Sequence, residues 1–153
     1  MKLLSPAFAD GQPIPVVYTG EGKDFSPPLD WTEPPAGTKS FALICDDPDA
    51  AMGAWVHWVI FNIPPAVRTL KENFSKEAQL PDGTRQGRTD FGQPGYGGPY
   101  PPSGTHRYFF KLYALDTILT VAGKAAKHDL VQSMKGHVLA EAALMGTYQL
   151  QGS

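Results

Sequence analysis

The sequence predicts a mainly β domain with a few short helices, and three observations carry that prediction. FALIC (residues 41–45), WVHWVIFNI (Trp55–Ile63) and HRYFFKLYAL (His106–Leu115) are apolar runs rich in β-branched and aromatic residues, too short for buried helices. Glycine and proline, 16 and 15 of 153 residues, fall largely between these runs as turn chemistry. Only one stretch, near the C-terminus, has helical spacing. The length suits one domain spanning residues 1–153, able to bury roughly two thirds of its unfolded surface.

Taken in order, the first forty residues read as short strands broken by turns, in PIPVVYTG, EGKDFSPPLDW and TEPPAGTKS, with prolines on exposed edges. The continuous apolar character of FALIC and WVHWVIFNI suits central strands covered on both faces. Residues 81–105 follow, with glycine and proline at 12 of 25 positions, so no long regular element fits. Phe91, Tyr96 and Tyr100 in this stretch predict a functional loop that packs down. In KHDLVQSMKGHVLAEAALMG, Asp129 is a first-turn acid, Leu130, Val131 and Met134 have helical spacing, and Gly136 is a stop. A second short helix is expected over residues 137–141, and LMGTYQL is expected to close the chain as a strand or extended tail.

Composition narrows the function. Hydrophobic residues make up 42% and charged ones 18%, the balance of a folded chain. A net charge of −2 argues against a nucleic-acid or anionic-membrane binder held by counterion release. The single cysteine, Cys45, lies in an apolar run and reads as a buried, inert thiol. The N-terminal apolar stretch is too short for a secretory signal, and no run of about 20 apolar residues exists. A cytoplasmic location is the expectation.

Strand period two puts Trp55, His57, Val59 and Phe61 on one face and Val56, Trp58 and Ile60 on the other. His57 is then a polar group in an oily strand, either a core histidine satisfied by a neighbouring carbonyl or acid, or a site residue. His106, Tyr108 and Phe110 share a face in the third run, with Arg107 turned away. Two histidines at strand ends beside loops suggest a site. Asp47, Pro48 and Asp49 follow FALIC at the start of a loop, where proline limits the aim of the carboxylates and a cis Asp47–Pro48 bond would sharpen the turn. The acids either reach a ligand or only cap backbone amides in an Asx-type turn.

SFALICDDPDA, WVHWVIFNIP and TDFGQPGYGGPYPPSGTHRYFFKLYALD, in this order and spacing, resemble the phosphatidylethanolamine-binding protein family, which includes the Raf kinase inhibitor protein. The shorter bacterial and archaeal branch is the better match. The resemblance implies an antiparallel β-sandwich of Greek-key type and a pocket for phosphate, acetate-like anions or phosphorylated lipid head groups. Carried over by motif, Asp47, Trp55, His57, Gly98, Pro101, Pro102, His106 and Tyr108 would line that pocket, with Asp49 and Arg107 as braces. Ala51 stands where the family usually has proline, which would loosen the rim.

Such a pocket has a physical rationale. A phosphate monoester, with its second pKa about 6, keeps a proton part of the time near neutral pH and can donate it to Asp47. Histidines beside a carboxylate are expected to shift toward the charged form and donate to the other oxygens. The glycine-rich loop is expected to add backbone N–H groups, Tyr108 a hydroxyl and Trp55 a wall. An ethanolamine-type head group would instead bring its ammonium to Asp47.

The expectation is a non-enzymatic binding protein without cofactor. The resemblance also implies a regulator or inhibitor of a kinase or a serine protease, and a homodimer. The alternative is a metal-dependent hydrolase built on the Asp/His cluster, although the separation of His57 from His106 gives no ligand-spacing signature. Ser103 lies in PPSGT without a nucleophile-elbow motif, so serine catalysis is disfavoured.

Overall fold

The computed structural model describes residues 1–122 and 124–151. It contains two antiparallel sheets. The smaller consists of β1 (Lys2–Leu4), β2 (Leu29–Thr32) and β5 (Thr69–Leu70) in the order β1-β2-β5. The larger joins β3 (Ser40–Asp47), β4 (Trp55–Ile63), β6 (Arg85–Gln86), β7 (His106–Leu115) and β8 (Val138–Tyr148) in the order β6-β4-β3-β7-β8. Among the described residues, one α-helix, α1 (Lys127–Met134), completes the set. No helix among the described residues is long and apolar enough to cross a membrane.

The apolar runs are continuous because the larger sheet is covered on both faces, as expected of such strands. Leu3, Leu29, Trp31 and Leu70 of the small sheet pack with Phe41, Leu43, Cys45, Trp58, Ile60, Phe110 and Leu112 in a first core. Trp31 meets Phe41 edge-on, with ring centroids 5.4 Å apart. On the opposite face Ala42, Ile44, Val56, Val59 and Phe61 form a second core with Leu130 and Met134 of α1. Lys127 ties the helix to the sheet by donating to Asp46 at 2.6 Å, and Lys111 lies 3.4 Å from the same buried carboxylate. Asp129 accepts from the Ala126 N–H, and Gly136 follows the helix in the left-handed region, both as predicted.

Two bulges in β4 correct the face assignment. Val56 opposes Asp46 and Trp58 opposes Cys45, which leaves His57 without a partner residue on β3. Strict alternation ends there. Val56, Val59 and Phe61 all face the second core, whereas Trp58 and Ile60 face the first. The His57 ring likewise lies toward the first core, 5.2 Å from that of Tyr108. The second bulge is at Asn62, between Ile63 opposite Phe41 and Ile60 opposite Leu43. Asn62 takes a left-handed φ of 54° and exchanges side-chain hydrogen bonds with the Leu119 backbone.

Three further expectations are corrected. Residues 16–18 form a 3₁₀ turn, not a strand: Pro15 sets φ at −57° and the Tyr18 and Thr19 amides close back onto Pro15 and Val16. Residues 137–141 are not a helix, because from Val138 onward the chain pairs with β7, and ladder pairing outweighs the helix propensity of its alanines and glutamate. The loop after β3 starts later than expected, since Asp46 and Asp47 both remain in the strand. Cys45 is buried as expected, and burial raises its thiol pKa.

Candidate binding site

β3, β4 and β7 are adjacent in the sheet, so the end of β3 and the starts of β4 and β7 meet at one edge of the sandwich. A cavity of about 230 Å³ opens there. Asp47, Trp55, His57, Gly98, Pro101, Pro102, His106 and Tyr108 all line it, together with Ala50, Ala51, Met52, Phe91 and Tyr100. Every residue named as pocket-lining from the sequence is therefore brought to one place.

Asp47 and His106 form a dyad across the strand ends, with His106 Nδ1 2.6 Å from Asp47 Oδ2. Asp47 Oδ1 accepts the Asp49 N–H at 2.8 Å, the Asx turn weighed as an alternative, so both of its oxygens already have protein partners. Only 4% of Asp47 is exposed. The Asp47–Pro48 peptide is trans. Asp49 faces Arg107 instead of the cavity: its carboxylate accepts from the Arg107 backbone N–H, Nε and Nη2, which holds its pKa down at about 2. The pair braces the loop after β3 against β7.

His57 departs from the expected charged form. Its Nδ1 donates to the Gly97 carbonyl at 2.6 Å, and burial pushes its pKa below the usual range despite that bond and the charges of Asp47, Asp24 and Asp46. The ring is held neutral, with Nε2 as an acceptor. Tyr108 lies between the two imidazoles, 5.2 Å from His57 and 6.5 Å from His106 by ring centroids. Burial raises its hydroxyl pKa, so it remains a donor at neutral pH.

The glycine-rich loop is also used differently from expectation. The Gly97 N–H donates to the His57 carbonyl and the Gly98 N–H to Asp24 Oδ1 at 2.7 Å, so neither is free for a ligand. Gly98 is required by close approach: a Cβ there would stand 2.5 Å from Asp24 Oδ1 and 2.5 Å from the Tyr18 carbonyl. Asp24, itself at a φ of 60°, was not singled out in the sequence. Tyr96 packs down as predicted, donating to the Tyr18 carbonyl at 2.7 Å. Phe91 packs edge-on against Trp55 and His57. With Met52 at 97% exposure and Tyr100 at 61%, Phe91 and Trp55 form an apolar rim.

Among the described residues, no lysine or arginine lines the cavity. Among the described residues, no group of three or more His, Cys, Asp or Glu side chains is placed to hold a metal ion.

The family described as phosphatidylethanolamine-binding protein matches residues 4–149. A UPF0098 protein of Methanothermobacter thermautotrophicus is 54% identical over 149 residues, 97% of this chain and 99% of that protein. One of Aquifex aeolicus is 47% identical over 152 residues, 97% of this chain and 88% of that protein. The crystal structure of a phosphatidylethanolamine-binding protein homologue from Chlamydia trachomatis superposes with a TM-score of 0.90 at 40% identity, covering 98% of this chain and 97% of that one. That of Escherichia coli YbcL, described as a new member of the mammalian family, gives 0.89 at 33% identity and 98% coverage of both chains.

Proposed function

Because the chain belongs to the phosphatidylethanolamine-binding protein family, we propose that it is a non-catalytic binding protein whose cavity takes a small oxyanion, such as inorganic phosphate or the phosphate of a head group. The observation that carries this reading is the convergence of His57, Tyr108 and the His106–Asp47 dyad on one cavity. Its volume of about 230 Å³ suits a small group. Apolar walls from Trp55, Phe91 and the prolines strengthen polar contacts made at the floor by excluding water. Asp47 acts through His106, fixing the ring so that Nε2 is left for the ligand.

The exposed rim supports a regulatory role in the same reading. A phosphorylated or acidic segment of a partner protein, a kinase or a serine protease, would place its anion in the cavity and cover Met52 and Tyr100.

His106→Ala and Asp47→Ala are each expected to weaken phosphate binding about tenfold or more, with the fold retained. Titration calorimetry reads the affinity and circular dichroism the fold. Unchanged affinity in both variants rejects the site.

A further inference from the structure

If the cavity binds oxyanions as proposed above, its polar atoms also determine which ones. Each imidazole has Nδ1 committed to the protein, His57 to the Gly97 carbonyl and His106 to the Asp47 carboxylate. Neither Nε2 makes a hydrogen bond within the described residues, and neither is sealed from solvent. In the neutral His57 ring Nε2 is an acceptor.

The surrounding charge points the same way. His57 is faced by Asp47 and Asp46 of β3, by Asp24 of the loop before β2, and by the neutral Tyr108 of β7. His106 is faced by Asp47, Asp49 and Tyr108, and Arg107 beside it is bound to Asp49. Among the described residues Asp47 is the carboxylate that lines the cavity, and no lysine or arginine does. The Gly97 and Gly98 N–H groups, the loop donors best placed to offset that charge, have protein partners.

We infer that the site selects oxyanions that carry their own proton and rejects those that are fully ionised. Hydrogenphosphate retains a hydroxyl at neutral pH, and that O–H donates to His57 Nε2 while Tyr108 donates to another oxygen. Sulfate has the same size, shape and charge as hydrogenphosphate but no proton near pH 7, so it presents only acceptors to the His57 acceptor. Leaving such groups facing one another unpaired is what gives polar sites their large discrimination ratios.

Calorimetric titration of the full chain at pH 7 and matched ionic strength, with inorganic phosphate and with sulfate, tests the inference. Phosphate is expected to bind about 100-fold more tightly than sulfate. In His57→Gln, whose side-chain amide can donate to a fully ionised anion as well as accept, the ratio is expected to fall below about tenfold. Phosphate and sulfate binding within about threefold of each other in the native chain would overturn the selectivity and leave the proposed oxyanion site standing. If neither anion binds, both the site and its selectivity are wrong. A native ratio that persists unchanged in His57→Gln would also overturn the inference, because the discrimination would then lie outside this acceptor.

Discussion

Gly98→Ala is expected to be the most costly small substitution near the cavity. The new Cβ would sit 2.5 Å from Asp24 Oδ1, 2.5 Å from the Tyr18 carbonyl oxygen and 2.9 Å from Thr19 Cα. Two of these three atoms are backbone, so no side-chain rotation relieves the clash. The loop must move by close to an ångström. That movement breaks the 2.7 Å bond from Gly98 N–H to the Asp24 carboxylate and disturbs the buried bond from Tyr96 to the Tyr18 carbonyl. A hydrogen bond to a charged group contributes about 1.5–3 kcal/mol, and overpacking costs about 1–3 kcal/mol. The expected loss is about 3 kcal/mol or more, a fall in Tm of about 6–12 °C for a chain of this size. Gly20→Ala is the control. Its Cβ would approach Tyr100 Cδ1 at 2.8 Å and Tyr100 Cβ at 3.2 Å, but the 61% exposed ring can swing away and the Cβ need give by only a few tenths of an ångström, so the cost is expected at about 1 kcal/mol, well below that of Gly98→Ala. Thermal and denaturant unfolding of the two variants, followed by circular dichroism, checks the contrast. Equal stability of Gly98→Ala and Gly20→Ala would refute the packing argument.

Two further predictions concern stability. Burial depresses the pKa of His57 in the folded state, whereas in the unfolded chain it lies near the ordinary value of about 6.5. The unfolded chain therefore binds more protons at this position below that pH, and His57 lowers stability as pH falls through about 6.5 toward its folded value. Denaturant unfolding at a series of pH values should show a shallower acid-side decline in His57→Gln than in the native chain, and parallel curves would contradict the assignment. Lys127→Met should cost about 1–2 kcal/mol, because it leaves the buried Asp46 carboxylate with only Lys111, at 3.4 Å. An unchanged urea midpoint would show that this ion pair does not anchor α1.

The strands that build the site were readable because their composition has one explanation. β3 and β4 carry the apolar runs FALIC and WVHWVIFNI, and a chain segment enclosed by both cores has no reason to alternate in hydrophobicity. On β7 the alternation is regular from His106 through Ala114, so the shared face of His106, Tyr108 and Phe110 was deduced correctly. On β4 it was not. A bulge is a property of two strands in register, and nothing in WVHW marks His57 as the residue without a partner on β3. The helix expected over residues 137–141 failed for a related reason, since local propensity is silent about the long-range pairing of Val138 with Leu115.

Motif spacing likewise brought the cavity residues together but left out what holds them. Asp24 is 74 positions from the Gly98 amide that it binds, and an aspartate among EGKDF has no local signature. The neutral state of His57 was also missed, because a neighbouring acid is visible in sequence whereas the desolvation that outweighs it is not.

The most direct measurement of the central claim is the ¹⁵N chemical shift of the histidine side chains during a phosphate titration. The account predicts that Nε2 of both His57 and His106 responds as phosphate fills the cavity, while His57 Nδ1 stays protonated on the Gly97 carbonyl. Saturating phosphate with no change at either ring would contradict it.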